Sequence, residues 1–346
     1  MVEYGKREEE ERLTGHRATR HSFRQWCSVF AGSILLIVFL VVTILFTINL
    51  SIRARDNTLP APGNLFAVDN NKYRVHIHCV GNSTNASGHK AVTVFLEAGE
   101  DPVEGRLASW IDDAYKAHTI QRYCYWDRPG MAFSDSAPSP LSAGMAVDAL
   151  SEALRKAGEQ GPWVLVSHGV GGIYSRIFAS RHAADIRGLL LIDALPESLL
   201  QRIGSPGRGF LLWFRGVIYP LGIERLVSAV FLQHNRQDRV YGRDAYQMGG
   251  QIKLELQENL VATTLTSNEV IAARGILPRD TPIAVVSSGL KVKKDRQWND
   301  GQRELSRLSG KLVAWDVVGG APHEVWRNSR GKDVLEKRLA QLVNAS

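Results

Sequence analysis

The sequence predicts an α/β fold: a mainly parallel sheet covered on both faces by helices, with one membrane-crossing helix in front of it. Three observations carry that expectation. Continuous apolar runs of strand length recur along the chain with helical stretches between them, the pattern of strands buried on both faces. One much longer run, Val29 to Leu50, holds no charged residue and, at about 1.5 Å per residue, spans about 30 Å of hydrocarbon. The roughly 280 residues that follow suffice to bury one large core and to carry an insertion.

In order along the chain, residues 1–28 read as a polar, charged cytosolic tail and 29–50 as an uncleaved signal anchor. A cleaved signal peptide fits less well. The apolar run is longer than usual for one, it begins late, and no small-x-small site follows it closely. Arg12, Arg17, Arg20 and Arg24 outnumber Arg53 and Arg55 beside the helix ends. The positive-inside rule therefore favours a cytosolic N-terminus and a lumenal or extracellular C-terminal domain in a single-pass topology. These features do not choose among the membranes of the secretory pathway. The consecutive glutamates Glu8 to Glu11 argue against a mitochondrial transit peptide. Residues 51–65, with Pro60, Ala61, Pro62 and Gly63, read as a stalk, and 66–346 as one domain.

Within that domain, Tyr73 to Val80 alternates apolar and polar side chains as a half-buried strand does. Val92–Leu96, Thr119–Tyr125, Trp163–Val166, Leu189–Ile192, Ile283–Val286 and Leu312–Trp315 are further strand candidates. Leu141–Ala157 has helical spacing and stops at Gly158, Gly171–His182 directly follows the short stretch Ser167–Val170 after Trp163–Val166, and Val334–Leu342 is a last helix. The interval 195–280 is too long for a plain connection and contains the helical runs Gly209–Val217 and Ile223–Leu232. It reads as a helical lid inserted between two strands.

Charge and cysteine content exclude several classes. The formal charge is +7, but basic and acidic residues interleave, and Lys291-Val292-Lys293-Lys294 ends in Asp295 and reads as a solvated loop. No nucleic-acid partner is implied. No stretch has zinc-ligand spacing, a dinucleotide fingerprint or a phosphate loop, so neither metal nor cofactor is expected. Asn82-Ser83-Thr84 and Asn85-Ala86-Ser87 are glycosylation sequons in a polar loop. Cys79 and Cys124 are compatible with two buried thiols or with one disulfide, which a lumenal location permits. Cys27 sits at the membrane edge.

Five stretches carry a family resemblance: "VHIHCVG" (75–81), "VFLEAG" (94–99), "YCYWDRPGMAFSD" (123–135), "GPWVLVSHGVGGIYSRIFA" (161–179) and "GLLLIDALPE" (188–197). In content and order they resemble the α/β-hydrolase superfamily, in the branch that includes proline-type aminopeptidases, lipases and esterases. The resemblance covers roughly residues 65 to 345. It implies an α/β-hydrolase fold and sets the strand of Cys79 beside that of Cys124, so that a disulfide fits if both side chains share a face.

The resemblance also exposes a departure. "SHGVGG" (167–172) matches the nucleophile elbow, the sharp strand-to-helix turn that presents the attacking serine, but Gly169 occupies the apex. Glycine accepts the strained backbone of the turn, so the shape survives while the attacking oxygen is lost. The backbone N–H of Val170 stands where the family uses it for the oxyanion. Ser167, two residues early, is a candidate displaced nucleophile, and His168 a packing or hydrogen-bonding residue of the pocket. His323 in "GGAPHEVW" (319–326) lies where the family places its base. A surviving base, a pocket hydrogen-bonding residue and an ordinary loop histidine all remain open for it. The acid is Asp295, after the strand Ile283–Val286, or Asp193, which ends "LLLID". After Gly99 the oxyanion loop continues with Glu100, Asp101 and Glu104, charges that oppose a developing oxyanion.

The expected function is a membrane-anchored protein of hydrolase fold without serine chemistry. It would bind a small apolar ligand, a lipid or a protein partner. The alternative is a hydrolase of esters or amides that uses a displaced nucleophile or activated water.

Overall fold

The computed structural model describes residues 2–84, 87–103 and 107–345, with side chains from residue 25 onward. Asn85 and Glu104 lie outside the described residues. The chain opens with one helix, Val2–Asp56. Its segment Gln25–Asp56 contains an 18-residue window of mean hydropathy 3.0 and is long and apolar enough to cross a membrane. Four of its hydroxyls are satisfied locally. The hydroxyls of Ser33, Thr43, Thr47 and Ser51 each donate to the carbonyl four residues earlier. The helix runs through the expected tail and into the expected stalk. No proline follows Leu50 until Pro60, so nothing in the sequence stops it sooner.

Eight strands form one sheet in the order β1-β2-β4-β3-β5-β6-β7-β8. They are β1 Asn64–Val68, β2 Tyr73–Val80, β3 Thr93–Glu97, β4 Tyr123–Trp126, β5 Trp163–His168, β6 Ile186–Ile192, β7 Ile283–Ser288 and β8 Leu312–Val318. β1 and β2 pair antiparallel, as do β2 and β4; every other pairing is parallel. Strand β1, inside and just past the expected stalk, was not legible as a strand because it is short and mostly solvent-facing.

The central strands are buried on both faces, as their continuous apolar runs require. Phe95, Leu165, Leu189 and Val285 point into one core, packed by helices Ala143–Ala157 and Gly171–Arg181. Leu96, Val166, Leu190 and Val286 point into the other, packed by Ala108–Lys116 and Ser329–Val343. Local chemistry fixes the helix ends. Ser142 accepts from Met145 N at the start of Ala143–Ala157, and Gly158 closes it at φ +73°.

Between β6 and β7 the chain inserts a run of helices, chiefly Pro206–Ile218, Ile223–Val230 and Gly249–Val261. The end of the first helix docks on them. Asn49 Nδ2 donates to Tyr219 O (3.2 Å) and Pro220 O (2.9 Å). Buried Asp56 accepts from Arg239 Nη2 at 2.9 Å and lies 3.5 Å from Arg225.

Cys79 and Cys124 stand directly opposite each other on β2 and β4, with Cα atoms 4.1 Å apart, and form a disulfide. The sequence left this open, because pairing depends on register and not on spacing. The bridge closes a loop across 45 positions, so its removal enlarges the unfolded ensemble. Cys79→Ala with Cys124→Ala is expected to cost about 2–4 kcal/mol, read as a lowered denaturation midpoint of the detergent-solubilised chain, with a steeper slope because the unfolded chain is less compact.

Candidate functional site

The site is built around the turn that ends β5. Trp163 to His168 is buried throughout, and Gly169 then takes φ +52° before the helix Gly171–Arg181 begins. That is the left-handed conformation an elbow apex needs. The turn is held tightly. Gly169 O accepts from Gly172 N at 3.2 Å and from Leu195 N at 2.7 Å. A side chain on Gly171 would place its Cβ 2.2 Å from Ala98 O, so the helix and the end of β3 can meet only with glycine there.

His323 comes from the loop after β8, which is fastened to β7 where Ser288 Oγ donates to Ala321 O at 2.8 Å. Its Nδ1 donates to Asp193 Oδ2 at 2.6 Å. Asp193 follows β6 at φ +40° and is fully buried, and its Oδ1 accepts from Ser288 N (3.0 Å) and Trp298 Nε1 (2.8 Å). Lys291 stands on the same side, 3.9 Å from Asp193 Oδ2 and stacked 3.3 Å above the Trp298 ring.

With Nδ1 committed to Asp193, Nε2 of His323 faces Glu100 Oε2 at 3.6 Å. A Cβ built on Gly169 would lie 2.9 Å from that Glu100 oxygen and 3.3 Å from His323 Nε2. The Glu100 carboxylate therefore stands over the apex, where a serine hydroxyl would meet the histidine. His168 completes the group. It is 7% exposed, its ring lies 4.2 Å from that of His323, and its Nε2 has no hydrogen-bond partner. One donor atom from each of Glu100, His168 and His323 lies within 4.8 Å of the others.

The electrostatics follow. Burial pulls the His323 imidazolium down, but the hydrogen bonds to Asp193 and Glu100 outweigh it and raise the ring to about 9. Burial and the neighbouring His323 charge push His168 down to about 3. Partial desolvation of the half-exposed Glu100 pushes it up, but the bond from His323 and the fields of both histidines hold it well below the usual carboxylate range. At neutral pH His323 is a cation between two carboxylates, and a ring already protonated accepts no further proton.

The structure brings together Gly99, Glu100, His168, Gly169, Val170, Asp193 and His323. It separates two other candidates. Asp295 accepts from Trp298 N at 3.0 Å as the cap of the helix Arg296–Leu305 and pairs with Arg202. The carboxylate that meets His323 is Asp193. Ser167 is fully buried on β5. Neighbouring His168 faces His323, so strand alternation turns Ser167 to the opposite face of the sheet. The run 291–294, expected as a solvated loop, is a helix, Gly289–Lys294, capped by Ser288, and Lys291 lies inward over Trp298.

Beyond the apex is a cavity of about 260 Å³. Met131, Val170, Leu195, Ile203, Leu254 and Trp298 supply its apolar wall, with Arg128, Arg202, Arg208 and Lys291 set against Glu100, Glu255 and Glu258. The lining is thus mixed rather than simply apolar. Arg128, within "YCYWDRPGMAFSD", is a site residue that sequence reasoning missed. It is buried, bonds Gly99 O, lies 2.9 Å from Glu258 and 4.0 Å from Glu97, and sits over the Tyr174 ring. It therefore fixes the loop that carries Glu100.

Comparison with known proteins agrees with this architecture. The model of a region of unknown function, DUF2417, matches residues 1–79. An uncharacterized protein of Schizosaccharomyces pombe is 37% identical over 343 residues, which are 93% of this chain and 63% of that protein. An uncharacterized vacuolar membrane protein of Saccharomyces cerevisiae is 28% identical over 381 residues, 94% of this chain and 59% of that one. The chain thus spans less than two thirds of the length of these relatives. A carboxylesterase structure from Nitrososphaera superposes with TM-score 0.56 at 15% identity, over 81% of this chain and 98% of that one. Proline iminopeptidase from Mycobacterium smegmatis superposes at 0.51 and 13%, over 81% and 99%. The chain is an α/β-hydrolase-fold protein. At such identities the likeness carries the fold and leaves the chemistry to the residues present.

One test of the buried network below the α/β-hydrolase pocket uses Glu97. Burial pushes its carboxyl up to about 8, although Arg128 and the Trp126 N–H pull the other way. The unfolded carboxyl titrates near 4.5, so between these values the folded chain keeps a proton that the unfolded chain has lost. This contribution to stability is full below the lower value and is lost as pH rises toward the upper one. Glu97→Gln is expected to gain roughly 1–3 kcal/mol at pH 8 relative to its standing at pH 5, measured by denaturant unfolding at both.

Proposed function

We propose that this chain is a membrane-anchored α/β-hydrolase-fold protein that binds a small ligand, apolar in its body and polar at one end, without serine-nucleophile catalysis. The observation that carries the reading is the Glu100 carboxylate standing over Gly169. The apex has no attacking oxygen, and a negative charge stands between the apex and His323, where it opposes any developing oxyanion nearby. The mixed lining of the cavity suits an amphipathic ligand, lipids included.

Anchoring through residues 29–50 is supported by the apolar segment Gln25–Asp56 and by the helices between β6 and β7, which act as a lid in this reading. Phe210, Leu211, Trp213, Phe214, Val227, Val230 and Phe231 of that lid are exposed, next to the place where the first helix docks through Asn49. Contiguous exposed apolar side chains continuous with an apolar helix fit a bilayer surface. The name of the Saccharomyces relative, a vacuolar membrane protein, points the same way. A lumenal domain accords with the disulfide and with exposed Asn82 at a sequon.

Two measurements test the reading. A fluorescent fluorophosphonate should not label the full-length protein. Gly169→Ser alone should label weakly, because Glu100 crowds and charges the new hydroxyl. Adding Glu100→Gly should raise labelling roughly tenfold or more. Labelling of the wild type at any serine, Ser167 included, would overturn the absence of serine catalysis. For topology, N-glycosidase treatment of the expressed chain should increase its gel mobility, with a smaller shift in Asn82→Gln. No shift in either would withdraw the support that the sequons lend to a lumenal domain.

A further inference from the structure

We propose that Glu100, His168 and His323 form a binding site for one divalent transition-metal ion of the zinc class. The inference goes beyond ligand binding. It rests on the reading above only in taking Gly169 to carry no nucleophile, and it is independent of membrane anchoring. Two imidazoles and one carboxylate are a zinc donor set of the kind that keeps a fourth position open. The three donors reach one point from three different segments: the loop after β3, the end of β5 and the loop after β8.

Four features fit an ion at that point. The donor atoms lie within 4.8 Å of one another, and His323 Nε2 is already 3.6 Å from Glu100 Oε2. Ligands around a tetrahedral zinc stand roughly 3.3 Å apart, given bond lengths near 2 Å, so closing the set needs shifts of about an ångström. Buried His168 offers one ring nitrogen to the cluster, and its Nε2 has no hydrogen-bond partner, so no bond to the protein engages that nitrogen. The Asp193 bond to Nδ1 sets the His323 tautomer and directs Nε2 to the ion, the usual arrangement behind a metal-bound histidine. Finally, any side chain at position 169 would enter the space between Glu100 and His323, so glycine keeps that space open.

Lys291 Nζ is 3.5 Å from His323 Nδ1 and so lies on the far side of the ring from the proposed ion. Binding would displace a proton from His323 Nε2. A second cluster, Cys79, Cys124 and Glu159, carries no such site, because both sulfurs are in the disulfide. The open position of the ion faces the cavity beyond the apex. There it would take water, or an oxygen or nitrogen atom of the ligand.

The test uses untagged full-length protein in detergent, stripped with chelator and titrated with Zn²⁺ by calorimetry. Co²⁺ substitution is followed by its visible absorption. The expected result is one ion per chain, micromolar or tighter, with the Co²⁺ bands of a four- or five-coordinate ion. Glu100→Gln should weaken binding at least tenfold. That side chain is half exposed, so the variant is expected to fold, as its melting curve will report. His168→Ala should abolish the one-to-one isotherm, Asp193→Asn should weaken it about 10–100-fold, and exposed His118→Ala should leave it unchanged. Absence of stoichiometric Zn²⁺ binding, or binding that survives both Glu100→Gln and His168→Ala, would overturn the site. Fluorophosphonate labelling of the wild type would instead refute the shared premise about the apex, so the two failures are told apart.

Discussion

The close approach of backbone at the end of β5 is the constraint on which the rest of this structure depends. The turn at Gly169, the lack of a side chain at Gly171 against Ala98 O, and the bond from Leu195 N to Gly169 O join three parallel strands at their C-terminal ends. Ligand sites of open parallel sheets lie at such ends because loops of different origin converge there. Every group near the apex depends on it: Glu100 from β3, His168 from β5, Asp193 from β6 and His323 from beyond β8. A larger residue at Gly171 would separate β3 from the helix and move Glu100 away from His323.

Below the apex, buried charge takes over from backbone packing. Arg128 bonds the carbonyl of Gly99, reaches Glu97 and Glu258, and lies over Tyr174, whose hydroxyl donates to Glu258 at 2.7 Å. Glu258 belongs to the helix Gly249–Val261 of the inserted segment. One guanidinium thus ties the loop of Glu100, the helix after the elbow and the insertion together. Such groups are costly to bury singly and hold position well when each has its partner.

Much of the fold was legible in the sequence because burial on both faces writes itself as continuous apolar runs, and the elbow writes itself in glycine. β1 was not, since a short edge strand with exposed side chains has no such signature. At the site, the sequence located Gly169 and His323 but left the acid open between Asp193 and Asp295. That choice depends on whether a carboxylate turns inward at a strand end, which is a tertiary property. Asp295 caps a helix, whereas Asp193 is saturated by Ser288 N, Trp298 Nε1 and His323. The sequence read the charge of Glu100 as opposing an oxyanion. It could not show that the carboxylate reaches the apex itself, because that depends on the path of the loop after Gly99. Nor could spacing reveal the histidines and Glu100 as neighbours, since their donors come from distant parts of the chain.

The chemistry of the pocket then turns on what occupies the two sides of one imidazole. A histidine that serves a serine has a carboxylate at Nδ1 and a neutral hydroxyl at Nε2, and it cycles between charge states as the hydroxyl reacts. His323 keeps the first partner in Asp193 but meets a second carboxylate, Glu100, at the other nitrogen. Two negative groups across one ring favour a positive charge between them and hold it there. In the proposed reading the missing hydroxyl and the carboxylate act together: each removes part of the proton cycle, and jointly they make the apex a place that retains positive charge rather than one that generates negative charge. In that reading the floor of the pocket above Gly169 carries one positive charge, that of the His323 imidazolium or of the proposed ion. A ligand polar at one end and apolar in its body would meet that cation with its head while its remainder packs against Met131, Leu195 and Leu254.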